Sequence, residues 1–162
     1  MPQPVPIDVQ VNFSGISYDN QTGQWTIPSS APVWTVKDTE VAHGKNILTW
    51  TLKPLNVPNG FSAQFDTDAG IVFKAKWPGG KPTASSTDGT VTCTDNFRKG
   101  HGDRTYSYSI FVDLVDSSGR VLQPFKLDPD IKNKGANRKH KHPKKKRKGA
   151  NKKQKGANKT RQ

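Results

Sequence analysis

Several features that folds commonly rely on are scarce here. One cysteine, Cys93, occurs among 162 residues, which excludes an intramolecular disulfide framework. Glu40 is the only glutamate, against twelve aspartates and fourteen threonines. Asp and Thr disfavour helix interiors, and Thr suits strands. No stretch of ten or more residues carries helical periodicity. No apolar run approaches the ~18 residues of a membrane-spanning helix. The opening MPQPVPIDVQV has neither a basic start nor a continuous apolar stretch, so no secretory signal is expected. These absences point to a cytoplasmic, reducing address, and to a nuclear one only inside a eukaryotic cell.

Acid is missing from one end. Residues 132–162 hold fifteen Lys and Arg and no Asp or Glu, whereas residues 1–131 hold eleven basic and thirteen acidic groups. The chain therefore divides into a nearly neutral body, 1–131, and a cationic tail, 132–162. Leu, Ile, Val, Met and aromatic residues are also absent from the tail. Such a segment buries too little apolar surface to offset chain entropy and is expected to be disordered. KGAN recurs at Lys134, Lys148 and Lys155. The last step is seven residues, but no apolar seam accompanies it, so a coiled coil is not expected.

What the body does have is alternation. Val5, Ile7, Val9, Val11 and Phe13 fall on every second position, as do Leu48, Trp50 and Leu52, and again Tyr106, Tyr108, Ile110, Val112 and Leu114. Turn chemistry separates the runs at Asn59-Gly60, Pro78-Gly79-Gly80, Asp88-Gly89 and Ser117-Ser118-Gly119. About nine strands are predicted, near 5–13, 23–27, 33–37, 46–53, 61–65, 70–76, 90–97, 105–115 and 120–126. An all-β antiparallel sandwich follows, with barrel closure as the alternative. Trp25, Trp34, Trp50, Phe61, Phe73 and Tyr108 are its expected large core residues.

Residues 102–114, GDRTYSYSIFVDL, resemble the penultimate strand of immunoglobulin-like and cupredoxin-like sandwiches, and Trp50 resembles the core tryptophan of such domains. ILTWTL, DAGIVF, TYSYSIFVDLVDSSG and LDPDIKN together are similar to small bacterial immunoglobulin-like β-sandwich proteins of unassigned activity, over roughly residues 33–133. No cysteine pair joins the sheets, and Tyr108 stands where an immunoglobulin domain has its second cysteine. The resemblance implies the fold and leaves the activity open.

Catalytic and metal patterns are thin. A blue-copper centre needs Cys and His converging on one metal, and Cys93, His43 and His101 are the candidates. Cys93 lies within the alternating TVTCTDNF, eight residues before His101, and reads as a small buried strand residue. Asp66-Thr67-Asp68-Ala69-Gly70 resembles the opening of a calcium loop, but Gly70 and Trp77 occupy the fifth and twelfth positions, where ligands are required. No nucleophile motif accompanies His43 or His101, both flanked by glycine-containing turns. A non-enzymatic protein without cofactor or metal is expected.

The cationic tail carries the functional reading. Lys132, Lys134, Arg138, Lys139, Lys141, Lys144, Lys145, Lys146, Arg147, Lys148, Lys152, Lys153, Lys155, Lys159 and Arg161 are the candidate contacts to DNA or RNA phosphates. Neutralising phosphates releases condensed counterions and gives affinity independent of base sequence. An anionic membrane surface attracts polybasic segments too, but no apolar anchor accompanies this one. Residues 143–148, PKKKRK, resemble a monopartite nuclear import signal, and the tail resembles lysine-rich chromatin-type tails. In the body, Phe97, Arg98, Lys99, His101 and Arg104 form a second candidate, a basic loop led by an aromatic that offers phosphate contacts and base stacking. The alternative is a self-assembling, coat-like protein whose tail neutralises packaged nucleic acid. The body would then serve self-association or a protein partner.

Overall fold

A computed structural model of the chain describes residues 1–85, 89–97 and 103–134. Thirteen strands and no helix occur among the described residues, which therefore include no helix long and apolar enough to cross a membrane. The all-β expectation holds.

The first sheet is ordered β4 (Val33–Val36), β1 (Gln3–Asn12), β6 (Gly44–Leu55), β10 (Thr90–Phe97) and β9 (Thr83–Ala84). Ile7, Val9 and Val11 of β1 point inward and are buried, while Asp8 and Gln10 between them are exposed. Burial of one face imposes that period of two.

The second sheet is built on β11 (Arg104–Asp116). Along one edge it pairs with β12 (Val121–Leu127) and then β13 (Asp130–Lys134), which also pairs with β5 (Thr39–Ala42). Along the other edge run β8 (Ile71–Phe73) and β7 (Phe61–Phe65). Between β7 and β8 the chain makes an excursion. The Asp66 amide donates to the Phe111 carbonyl, and the Phe111 amide donates to that of Gly70. Asp66 Oδ1 accepts from the amides of Asp68 and Ala69 at 2.9 and 2.6 Å. The calcium-like segment is thus a turn whose first carboxylate closes the turn itself. A separate hairpin joins β2 (Ser17–Asp19) to β3 (Gln24–Thr26).

The antiparallel expectation needs correction, because both main sheets are mixed. β1 runs parallel to β6 from Gln3↔Asn46 to Asn12↔Leu55, and β13 runs parallel to β5. Residues 13–43 supply the length that a parallel crossover requires. Only His43 separates β5 from β6, so the chain steps from one sheet to the other there, and Gly44 adopts φ +130° to make the step.

The core lies between the sheets. Trp50 and Tyr108 are fully buried, with ring centroids 5.7 Å apart, and Phe73 lies 6.2 Å from Trp50. The expected core list also needs trimming. Trp25, Trp34 and Phe73 are only partly buried. Phe61 sits in a peripheral ring cluster with Tyr18 and Trp25. Phe13, Leu48, Ile110, Leu114 and Ile131 are other large residues completely buried.

Candidate nucleic-acid interface

Strand pairing gathers several chain segments at one end of the body. Phe97 closes β10 opposite Gly44, Arg104 opens β11 opposite Asn133, and Lys134 closes β13 opposite Ala42. Residues 98–102 therefore begin and end here, and the chain continues into 135–162 from the same place. Both basic stretches of the sequence start from one end of the folded body.

The first cations of the basic run belong to the fold. β13 alternates, with Ile131 and Asn133 completely buried and Lys132 and Lys134 outward. The border expected after residue 131 thus falls inside a strand, because a charge count overlooks the period of two. Lys132 Nζ lies 3.5 Å from Asp38 Oδ2, and Lys134 Nζ lies 3.3 Å from Glu40 Oε1 and 3.9 Å from Asp103 Oδ2. These exposed pairs contribute little stability, about 0–1 kcal/mol each, but they assign both lysines local acidic partners. The remaining tail candidates, Arg138, Lys139, Lys141, Lys144, Lys145, Lys146, Arg147, Lys148, Lys152, Lys153, Lys155, Lys159 and Arg161, lie outside the described residues. So do Arg98, Lys99 and His101 of the loop.

Phe97 and Arg104 are described, and they differ. Phe97 is 2% exposed, so it is a packing residue at the strand end and cannot present a free stacking face. Arg104 is exposed at the rim of a cavity of about 430 Å³. Lys76, Trp77, Pro78, Asn96, Phe97 and Tyr106 form the rest of its lining. Half-buried Trp77 is its central aromatic. The indole stacks on Phe73 with centroids 4.1 Å apart and planes 5° from parallel, and Tyr106 meets it at 5.0 Å and 84°. Its Nε1–H donates to the Thr94 carbonyl at 3.1 Å. A second cavity of about 340 Å³ also has Trp77 in its wall, together with Phe73, Ile71, Val91 and Lys81.

Sequence reasoning missed Trp77. The signal was present in KAKWPGG, a basic and aromatic stretch followed by a turn. Its glycines fit the segment to β10: a Cβ on Gly79 would fall 1.6 Å from the Thr94 carbonyl oxygen. The Gly80 amide donates to that same oxygen at 3.0 Å. Cys93 is buried beside this contact, and its thiol donates to the Gly80 carbonyl at 3.0 Å. Burial pushes that thiol up to about 11, so it packs rather than reacts. His43 is exposed in the link between β5 and β6. Among the described residues, no three His, Cys, Asp or Glu side chains group closely enough to hold a metal ion.

Beneath this end lies a buried polar seam. Asp95, Asn46 and Asn133 are 0–2% exposed. Asn46 Nδ2 donates to the Ala42 carbonyl at 2.9 Å and, at the longer distance of 3.4 Å, to Asp95 Oδ2. Burial raises the Asp95 carboxyl above its ordinary value. The Asn46 side chain, the Phe97 backbone amide and the nearby Asn133 side chain oppose that rise. Asp95 Oδ1 and both amide atoms of Asn133 nevertheless lack a hydrogen-bond partner of ordinary length. No family model, curated protein or solved structure matches the chain.

Proposed function

We propose that the protein is a non-enzymatic nucleic-acid-binding protein whose Lys- and Arg-rich run supplies affinity independent of base sequence. Charge segregation carries the reading. Thirteen of the chain's twenty-six basic residues lie in 135–162 with no acid among them, whereas Lys132 and Lys134 already face acidic partners. A dense polycation binds a polyanion by releasing its counterions, and contacts to phosphate carry no base information. The placement of Phe97, Arg104 and Lys134, the described residues next to the two basic stretches, at one end of the body supports the same reading. We also infer that the body is an immunoglobulin-like sandwich. The Trp50–Tyr108 contact between the sheets supports this, and the mixed pairing is the departure from the simplest form.

The test is a salt titration of binding to two unrelated duplexes and one RNA. The slope of log K against log salt should be roughly −0.9 per neutralised phosphate on duplex DNA and about −0.7 on single strands. Replacing Lys144, Lys145, Lys146, Arg147 and Lys148 by Gln should weaken binding to every sequence and flatten the slope. Strong preference for one duplex that persists at high salt overturns the proposal.

A further inference from the structure

We infer that the cavity between Trp77, Tyr106 and the start of β11 takes one unpaired nucleobase, so that the protein holds single-stranded nucleic acid in preference to duplex. The inference rests on the nucleic-acid reading above and adds to it a contact on the folded body.

The cavity combines what a base and its flanking phosphates need. Its volume of about 430 Å³ falls within the usual small-ligand range of roughly 300–1,000 Å³. Trp77 is held in place by the stack on Phe73, which takes one face of the indole, by Tyr106 packed at 84° to it and by the hydrogen bond to the Thr94 carbonyl. A base would meet the part of the half-buried ring left exposed, and little side-chain freedom is lost there. Base–aromatic stacking tolerates any sequence because every base has a π-face. Asn96, exposed at the wall, offers both a donor and an acceptor to a base edge. Lys76 and Arg104 are exposed and belong to the cavity lining, so they offer two cations to the phosphates of a bound nucleotide.

Position adds an independent argument. Arg104 pairs with Asn133, one residue before Lys134, so the cavity opens beside the point where the chain passes into its cationic run. Duplex cannot use the cavity on equal terms. Each base in a duplex is covered on both faces and must be unstacked and unpaired before it can enter.

The experiment measures binding of the full chain to oligo(dT), oligo(U) and a mixed-sequence duplex of equal length, each across a salt series. Trp77→Ala should weaken binding to the single strands by about tenfold, the stacking contribution of one base, and leave the duplex unchanged. Trp77→Phe should retain most of the affinity. The double variant Lys76→Gln, Arg104→Gln changes two exposed side chains, so it serves as the second test should Trp77→Ala fail to fold. It should weaken single-strand binding and flatten that slope by about 1.4, again sparing the duplex. Equal loss on single strand and duplex, or no loss on either in folded variants, overturns the inference. So does a poly-glutamate affinity that falls with Trp77→Ala as much as oligo(dT) affinity does, which would assign the cavity to acidic peptide. Failure of the underlying reading shows elsewhere: Gln at residues 144–148 would then leave duplex affinity unaltered, while the Trp77 comparison stays readable.

Discussion

Replacing Trp50 by alanine should be among the most damaging single changes available in this body. Trp50 lies at the middle of β6, wholly buried, paired across the first sheet with Ile7 and Val91 and facing Tyr108 and Phe73 of the second. Truncation removes the largest of the fully buried side chains and leaves a cavity between two sheets that cannot collapse onto it without shifting β1 and β10. Such a change costs about 3–5 kcal/mol, against roughly 5–15 kcal/mol for the whole stability of a domain. The melting temperature should fall by about 10–25 °C, at a few degrees per kcal/mol for a body of this size. Thermal melts followed by circular dichroism, with urea midpoints beside them, measure the effect. Trp50→Phe supplies the control. It keeps a ring between Tyr108 and Phe73 and removes an indole N–H that has no hydrogen bond of ordinary geometry, only the nearby Tyr108 hydroxyl, so its cost should be well under half that of alanine. An unchanged midpoint for Trp50→Ala, at unchanged urea dependence, would place the ring outside the cooperative core and refute the reasoning.

Three further outcomes follow from the same structure. The Asp95 carboxyl is raised above 3.8 by burial, so the folded state favours its protonated form. Its stabilising contribution is complete below the unfolded value and is lost as pH rises through the folded one. Asp95→Asn should therefore gain on the wild type between acid and neutral pH in urea midpoints, and a difference constant with pH contradicts this. Gly79→Ala drives a methyl into the Thr94 carbonyl and should cost about 1–3 kcal/mol while changing the near-ultraviolet signal of the Trp77 stack; an unaltered melt and spectrum would show that the 77–80 segment can move aside freely. Lys132→Gln with Lys134→Gln removes exposed ion pairs only. Stability should change by less than about 3 kcal/mol in total, and the salt slope for duplex should stay within about 1 of wild type, well short of the effect of Gln at 144–148.

Local pattern revealed the long strands. β1, β6 and β10 each bury one face, and the pleat turns that burial into a period of two visible in Ile7, Val9 and Val11. β11 is buried on both faces along much of its length, and its period of two shows in the large apolar residues Tyr106, Tyr108 and Ile110 against the polar Ser107 and Ser109. β2, β5 and β9 are two to four residues long; they exist because a neighbour offers a ladder, and too few side chains alternate to mark them. β13 was hidden by composition, since its two outward lysines read as the start of a charge run until Ile131 and Asn133 are seen to face inward.

The strand-rich body, the place of Trp50 in its core and the separation of neutral from cationic chain were legible before any fold was known. Each follows from side chains close together along the chain. Tertiary structure decided the rest. Alternation looks the same in parallel and antiparallel strands, so only the path of the chain shows that β1 runs parallel to β6. The cavity joins Lys76 and Trp77, Asn96 and Phe97, and Arg104 and Tyr106. Those three short segments become neighbours only because the two sheets stack with the ends of β10 and β11 side by side. A periodic pattern reports which face of a strand is buried, whereas a site between strand ends depends on which ends the topology brings together.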